Sequence, residues 1–462
     1  MSVDAPLSHG QLFSWREIAR YPQDWLRDAN LPTAWDLRGL PLDRVTAALR
    51  LLVDRHEPLR TTYHVADGQP VQRIHPTVTL PIERVDRVVA SRDVPEQAKD
   101  ELSAIGFPMT GALGWRGVLV TTDGAPVFLA LSFSHLILDV WSIHHLQDQF
   151  RALVADPRAT ARMGPSPREL ARQQRTNGVW RERQESSERY WRRVLADGLM
   201  DELPTLPAGV KRNRLEATLH SRRLGGLASE AARRLGVTAP SVVTALIAAG
   251  LARYTGTGRV TLSLMASNRF APEHQDIVST MNQLIPVVVT VDHGSSLAEH
   301  IKRVHWAGAR SYRYSCYDFD RVAAIAAEVA ARDGKSPSHD CWVNHLFRCW
   351  INYVQLDRHP SDPADPAPAE LLWTPLAQQY GQAFRVRVSV QGGRTSVLLL
   401  ADPTVVPPDG MIGILRALAF GAQLAATNPE STLKDLWDVR SEDLAPSLFP
   451  QELPTPPNQA EE

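Results

Sequence analysis

Apolar residues recur at helical spacing in VTAALRLLVDRH, where Val45, Leu49 and Leu52 share one face behind Asp43 and Pro58 closes the segment. LRTTYHV and PVQRIHP then flank Ala66, Asp67 and Gly68, which predicts a β-hairpin. VFLALSF, residues 127–133, is a short apolar run with Gly and Pro just before it, the pattern of a central strand buried on both faces. Beyond it Ile143, Leu146, Phe150 and Leu153 form a helical stripe, with Ser142 expected to cap that helix. The first half of the chain is therefore α+β, and the segment between strand and helix is HLILD.

The pattern changes over residues 157–198, which are rich in Arg, Gln and Glu. WRERQESSERYWRRVL predicts an amphipathic, highly charged helix between two halves. A proline-containing loop near 203–208 follows, and then a second α/β series. SVVTALIAAGLARYTG predicts a helix, RVTLSLMAS a strand and MNQLIPVVVTV another strand. Ser296 and Glu299 make a capping box for the helix LAEHIKRVHWAGA. RVRVSVQGGRTSVLLLAD predicts a hairpin turning at Gly392 and Gly393, and a long helix is expected after Asp409. The fold class expected is α/β (α+β), with a lobe at 1–175, a linker helix and loop at 176–208, a second lobe at 209–440 and a disordered, proline-rich tail at 441–462.

With 462 residues, 44% of them hydrophobic, the chain can bury a large core. Lys and Arg total 50 against 51 Asp and Glu, so no global field would gather nucleic acid or an anionic membrane. Cys316, Cys341 and Cys349 are too few and too odd in number for a disulfide framework, which points to a reducing, cytoplasmic setting. The first residues, MSVDAPLSHGQLFSW, lack the basic start and apolar core of a signal peptide, and no uninterrupted apolar run is long enough to predict a membrane span.

His135 falls at the end of the predicted central strand and Asp139 four residues later. An imidazole there would project at the edge of a sheet, and a carboxylate one turn on would orient it or pair with a cation and brace the loop. From these residues alone the HxxxD spacing is a weak signal, and a satisfied structural histidine is the favoured reading. A metal set of His135 and Asp139 with His144 or His145 is disfavoured, because adjacent histidines point to different helix faces. His339, Cys341, His345 and Cys349 match no common zinc spacing, and no metal is expected. There is no glycine-rich phosphate loop, GxSxG elbow or CxxC.

Several segments in order resemble the condensation domains of nonribosomal peptide synthetases, within the chloramphenicol-acetyltransferase-like superfamily. LSHGQLFSW at 7–15 is similar to an opening Ser-x-x-Gln segment, and RHEPLRTTY at 55–63 to Arg-His-Glu-x-Leu-Arg-Thr. SHLILDV at 134–140 corresponds to His-His-x-x-x-Asp-Gly, SNRFAPEHQDIVSTMNQLIPVVV at 267–289 to an Asn-Arg segment with a later Asn-containing strand, and INY at 351–353 to Phe-Asn-Tyr. The resemblance implies two acetyltransferase-like α/β sandwich lobes in a V-shaped pseudo-dimer with a central tunnel. Carrier-protein-bound thioesters enter on phosphopantetheine arms, and an acyl group passes to an amine or hydroxyl. It implies His135 as the catalytic group and Asp139 as a brace with Arg60 as its salt-bridge partner. No cofactor would be bound, since phosphopantetheine arrives with the substrate. The partners implied are acyl or peptidyl carrier proteins and a small-molecule or carrier-bound nucleophile.

Ser134 stands where the family has its first histidine, and Val140 where it has glycine. Ser134 should point away from the face of His135 and keep a structural hydrogen bond. Val140 restricts backbone angles that glycine allows and narrows the space beside His135, with Trp141 adding bulk. The Val140 amide, Asn352, Ser142 and Trp141 are the candidates for oxyanion or substrate contact, Ser142 being better explained as a helix cap. No adenylation or carrier segment is visible, so a free-standing, monomeric condensation enzyme served in trans is expected. A non-catalytic recruitment domain and an acyl-CoA-dependent acyltransferase are the alternatives.

Overall fold

In a computed structural model, residues 1–87, 94–196, 214–332, 349–355, 367–374 and 383–457 are described. The chain forms two compact units. One comprises Met1–Ser187, Ser267–Gln283 and Cys316–Arg321; the other comprises Glu188–Ala266, Leu284–Ser315 and Val322–Glu462.

In the first unit, β1 (Val3–Pro6), β3 (Thr61–Ala66) and β4 (Gln69–Ile74) form a three-stranded sheet in the order β1-β4-β3. The hairpin between β3 and β4 turns at Asp67 and Gly68, whose φ angles of 50° and 74° allow the tight connection with Ala66 opposite Gln69. A second sheet has the order β2-β7-β6-β5, built from β2 (Asn30–Asp36), β5 (Ile82–Asp86), β6 (Trp115–Thr122) and β7 (Ala125–Ser134). β7 lies inside this sheet, antiparallel to β2 and β6, and is buried from Pro126 onward except at Val127. That position explains its unbroken apolar run. The helices Leu42–Arg55 and Val140–Ala155 bury the predicted stripes: Val45, Leu49 and Leu52 on one, Ile143, Leu146, Phe150 and Leu153 on the other.

The second unit carries a seven-stranded sheet, ordered β10-β9-β11-β13-β14-β8-β12. Its strands are β8 (Leu215–Ser221), β9 (Arg259–Ala266), β10 (Gln283–Thr290), β11 (Cys349–Gln355), β12 (Glu370–Thr374), β13 (Phe384–Gln391) and β14 (Arg394–Ala401). Gly392 and Gly393, with φ of 59° and 70°, close the β13–β14 hairpin. Helices Leu224–Leu235, Ala239–Thr255, Leu297–Tyr312 and Pro408–Thr427 belong to this unit, and Ser296 and Glu299 form the capping box of the third. Pro408–Thr427 is long and apolar enough to cross a membrane, but most of it is buried inside the protein.

The division differs from the expected boundaries at 175 and 208. The charged helix Gly178–Ala196 runs across the boundary between Ser187 and Glu188, and two later segments return to the first unit. The tail expectation is also corrected: Leu448 and Phe449 are fully buried, and the Trp373 indole donates to the Pro454 carbonyl at 3.1 Å. Two large apolar side chains outweigh the polar, proline-rich composition around them. Residues 458–462 lie outside the described residues, as do His339, Cys341 and His345.

Candidate active site

β7 ends at Ser134, whose N–H donates to the Gly114 carbonyl at 2.7 Å. The next amide, of His135, donates to the Ala29 carbonyl at 2.7 Å, so the chain is still tied to its neighbours where the imidazole departs. Ser134 Oγ accepts the Leu136 N–H at 3.3 Å and holds the turn, a local bond that serine makes readily. His135 is half-buried, with Nδ1 3.4 Å from Thr280 Oγ1.

Asp139 is almost wholly buried and serves as N-cap of the helix Val140–Ala155. Its Oδ1 accepts the Ser142 N–H and Arg269 Nη2, each at 2.9 Å, and its Oδ2 accepts the Met281 N–H at 3.1 Å. With those donors the carboxylate is committed to the scaffold, and it makes no hydrogen bond to His135. Burial lowers the pKa of Arg269, and the adjacent Asp139 opposes that by favouring the charged guanidinium.

Arg60 is not the partner of Asp139. Its Nη1 donates to the His75 carbonyl at 2.6 Å, tying the turn Glu57–Arg60 to the end of β4. The ion pair belongs to Arg269, which the sequence places 130 residues from Asp139 and within the Asn-Arg segment. The preceding residue explains why that segment works. Asn268 adopts a left-handed φ of 54°, tolerated by asparagine, and its Nδ2 donates to the Met281 carbonyl at 2.9 Å. The turn is thereby pinned to the same strand entry that Asp139 grips.

Ser142 is not the helix cap, because Asp139 takes that role, and its hydroxyl is fully occupied. Ser142 Oγ donates to the Ser279 carbonyl at 2.7 Å and accepts from Arg269 Nη2 at 2.8 Å and the Ser279 N–H at 3.1 Å. One donor and two lone pairs are thus used, leaving nothing for an oxyanion. Val140 sits at the first helical position; the only non-glycine residues with left-handed φ among those described are Asp67, Asp123 and Asn268. The backbone at Val140 therefore makes no demand that only glycine could meet. Trp141 is half-exposed and its indole donates to the Gln275 carbonyl at 2.9 Å. Asn352 lies half-buried in β11 of the second unit, opposite Arg387 of β13.

The remaining motifs are structural. His56 bonds Gln149 on the helix after the HxxxD segment at 2.9 Å, and burial lowers its pKa to about 4. Glu57 pairs with Arg168 at 2.9 Å. Ser8 and Gln11 form the capping box of the helix His9–Ile18, with Gln11 Nε2 donating to the Tyr63 hydroxyl at 3.1 Å. Gly10 touches the HxxxD scaffold directly: a Cβ there would stand 2.5 Å from the Thr280 carbonyl oxygen. No signal in the sequence singles out Thr280, Met281 or Gly10. Backbone donors and small residues leave no pattern that a single sequence reveals.

The sequence profile of the condensation domain family matches residues 5–338. The beauvericin nonribosomal cyclodepsipeptide synthetase of Beauveria bassiana is 27% identical over 320 residues, which is 66% of this chain and 10% of the synthetase. The cyclosporin synthetase of Tolypocladium inflatum is 24% identical over 311 residues, 64% of this chain and 2% of that protein. The chain thus matches about a tenth or less of the length of these relatives. Among solved structures, the condensation domain that mediates chain release from the enacyloxin polyketide synthase superposes with a TM-score of 0.73 at 20% identity, covering 93% of this chain and 84% of that one. The first condensation domain of the calcium-dependent antibiotic synthetase, in complex with a substrate analogue, gives 0.67 at 18% identity, covering 94% and 98%. At these identities the superpositions establish the fold.

Proposed function

The chain belongs to the condensation domain family, and we propose that it joins a carrier-protein-bound acyl or aminoacyl thioester to an amine or hydroxyl in natural-product biosynthesis. The observation that carries this reading is a half-buried imidazole at the end of a buried strand, beside a carboxylate wholly committed to the scaffold. The partners are acyl or peptidyl carrier proteins, which deliver phosphopantetheine as part of the substrate. The protein acts as a monomer in the cytoplasm.

In the reaction the nucleophile's nitrogen or oxygen bonds to the thioester carbon and the carbon–sulfur bond breaks. The proton lost by the nucleophile ends on the departing thiol. His135 is the group that carries it. An α-amino group has a solution pKa of about 8, so a useful fraction is already neutral and His135 needs mainly to position it and take its proton. A hydroxyl requires true general-base catalysis, worth about 100- to 10,000-fold. With Ser142 occupied, the Val140 amide is the candidate donor to the developing oxyanion. It lies in the first turn of a 16-residue helix, where amides lack intrahelical acceptors.

The test is an intact-mass assay with a panel of loaded carrier proteins and candidate nucleophiles. Wild-type protein should release product, and His135→Ala should abolish release with the melting temperature unchanged. Equal turnover by His135→Ala would remove the imidazole from the chemistry. Carrier binding without turnover by the wild type would replace catalysis with recruitment, and turnover with acyl-CoA alone would replace the carrier-bound donor.

A further inference from the structure

Asp139 does not orient His135 directly, which leaves open what does. Thr280 is fully buried, and its Oγ1 lies 3.4 Å from His135 Nδ1 and 3.3 Å from Ser14 Oγ. We infer that Thr280 is the positioning residue that fixes the ring and tautomer of His135, with Ser14 setting the direction of the Thr280 hydroxyl; this deepens the catalytic reading above and rests on it.

A hydroxyl carries one proton. If the Thr280 O–H points to Ser14 Oγ, Oγ1 presents lone pairs to Nδ1. The ring then holds its proton at Nδ1 and keeps Nε2 unprotonated as a base. If the Thr280 O–H points to Nδ1 instead, the proton resides on Nε2 and the ring cannot accept one from a nucleophile there. Only the first arrangement also serves the imidazolium formed during reaction, because Nδ1–H then has its acceptor before and after proton transfer. No group has to turn, which is the economy that preorganised sites exploit.

The backbone around Thr280 is held from several directions. The Ser279 amide and carbonyl both bond Ser142 Oγ, the Met281 amide bonds Asp139, and the Met281 carbonyl accepts from Asn268. Gly10 leaves room for the Thr280 carbonyl, which any Cβ would meet. Asp139 thus acts on His135 at one remove. With Arg269 and Ser142 it bolts residues 279–281, and Thr280 carries that rigidity to the imidazole.

The experiment compares wild type, Thr280→Val, Thr280→Ser and Ser14→Ala as full-length chains. Valine keeps the β-branched shape and loses the hydroxyl; serine keeps the hydroxyl. Side-chain 15N spectra of histidine-labelled protein, with the His135 signals assigned through His135→Gln, read the tautomer without any substrate. Wild type and Thr280→Ser should show the neutral ring protonated at Nδ1, and Thr280→Val and Ser14→Ala should show an increased share of the Nε2–H form. With a cognate loaded carrier, Thr280→Val should lower kcat about 10- to 100-fold, part of what a general base supplies. KM should stay unchanged, the pH–rate profile should be displaced, and Thr280→Ser should restore most of the rate. An Nε2-protonated wild-type ring, or identical His135 spectra in wild type and Thr280→Val, would overturn the inference. Failure of wild type to turn over any thioester would defeat the condensation reading instead, while the spectra would still decide the role of Thr280.

Discussion

Arg269 Nη2 lies 2.9 Å from Asp139 Oδ1, and each side chain is 1% exposed. The pair joins the N-terminus of the helix Val140–Ala155 to a segment that follows it by more than a hundred residues, within the first unit. Removing the cation would strand a carboxylate in the interior. Arg269→Ala should therefore cost about 3–5 kcal/mol of stability. Arg60→Ala, which deletes the bond to the His75 carbonyl, should cost about 1.5–3 kcal/mol. Denaturant unfolding of the two variants checks the order, and an Arg60 variant that loses more than the Arg269 variant would return the brace to Arg60.

Asn268 combines a left-handed backbone with a side-chain bond to Met281, and two substitutions separate these contributions. Asn268→Gly keeps the conformation and loses the bond, for about 1 kcal/mol. Asn268→Ala loses the bond and adds about 1–2 kcal/mol of backbone strain. Urea midpoints should fall in the order wild type, glycine, alanine. Equal midpoints for glycine and alanine would mean that the left-handed φ carries no cost.

Gly10→Ala should destabilise by about 1–3 kcal/mol, because the new methyl would stand 2.5 Å from the Thr280 carbonyl oxygen and 2.7 Å from Met281 Cα. Gly226, in the helix Leu224–Leu235, has no atom beyond its chain neighbours and its own helix backbone within 4 Å of its would-be Cβ. Gly226→Ala should instead gain up to about 1 kcal/mol from helix propensity. Thermal melts of the pair test whether contact, and not glycine content, sets the outcome.

His56 and His300 are buried and neutral, each with its pKa lowered from 6.5 to about 4, mainly by burial. Between those values the unfolded chain takes up protons that the folded chain refuses. Stability should be complete above pH 6.5 and decline as the pH falls toward 4, by up to about 3 kcal/mol for each group. Urea midpoints at pH 7 and 4.5 measure the decline, and His56→Gln should flatten its share. An unchanged slope would mean that His56 does not titrate in this window.

The amphipathic stripes at Val45, Leu49 and Leu52, the turn at Asp67 and Gly68, and the buried run of β7 were legible because each is written in neighbouring residues. His135 was legible through its place at the end of that run. Arg60 was misassigned for the opposite reason: no neighbouring residue records which arginine the fold will bring to Asp139, and the one that does so lies 130 residues away. Ser142 looked like a cap because serine prefers caps, while Asp139 three residues earlier met the same need with a charged acceptor.

Local periodicity and turn chemistry thus determined, from the sequence by itself, where the most strongly patterned helices, strands and hairpins form and where the imidazole leaves the sheet. Tertiary structure decided which cation neutralises Asp139, that Ser142 is spent on Ser279 and Arg269, and that Thr280 stands beside His135. Those outcomes depend on distances between residues more than a hundred positions apart. In the interior a charge or hydroxyl must find a partner wherever the folded chain supplies one, and burial, which no short window encodes, sets that requirement.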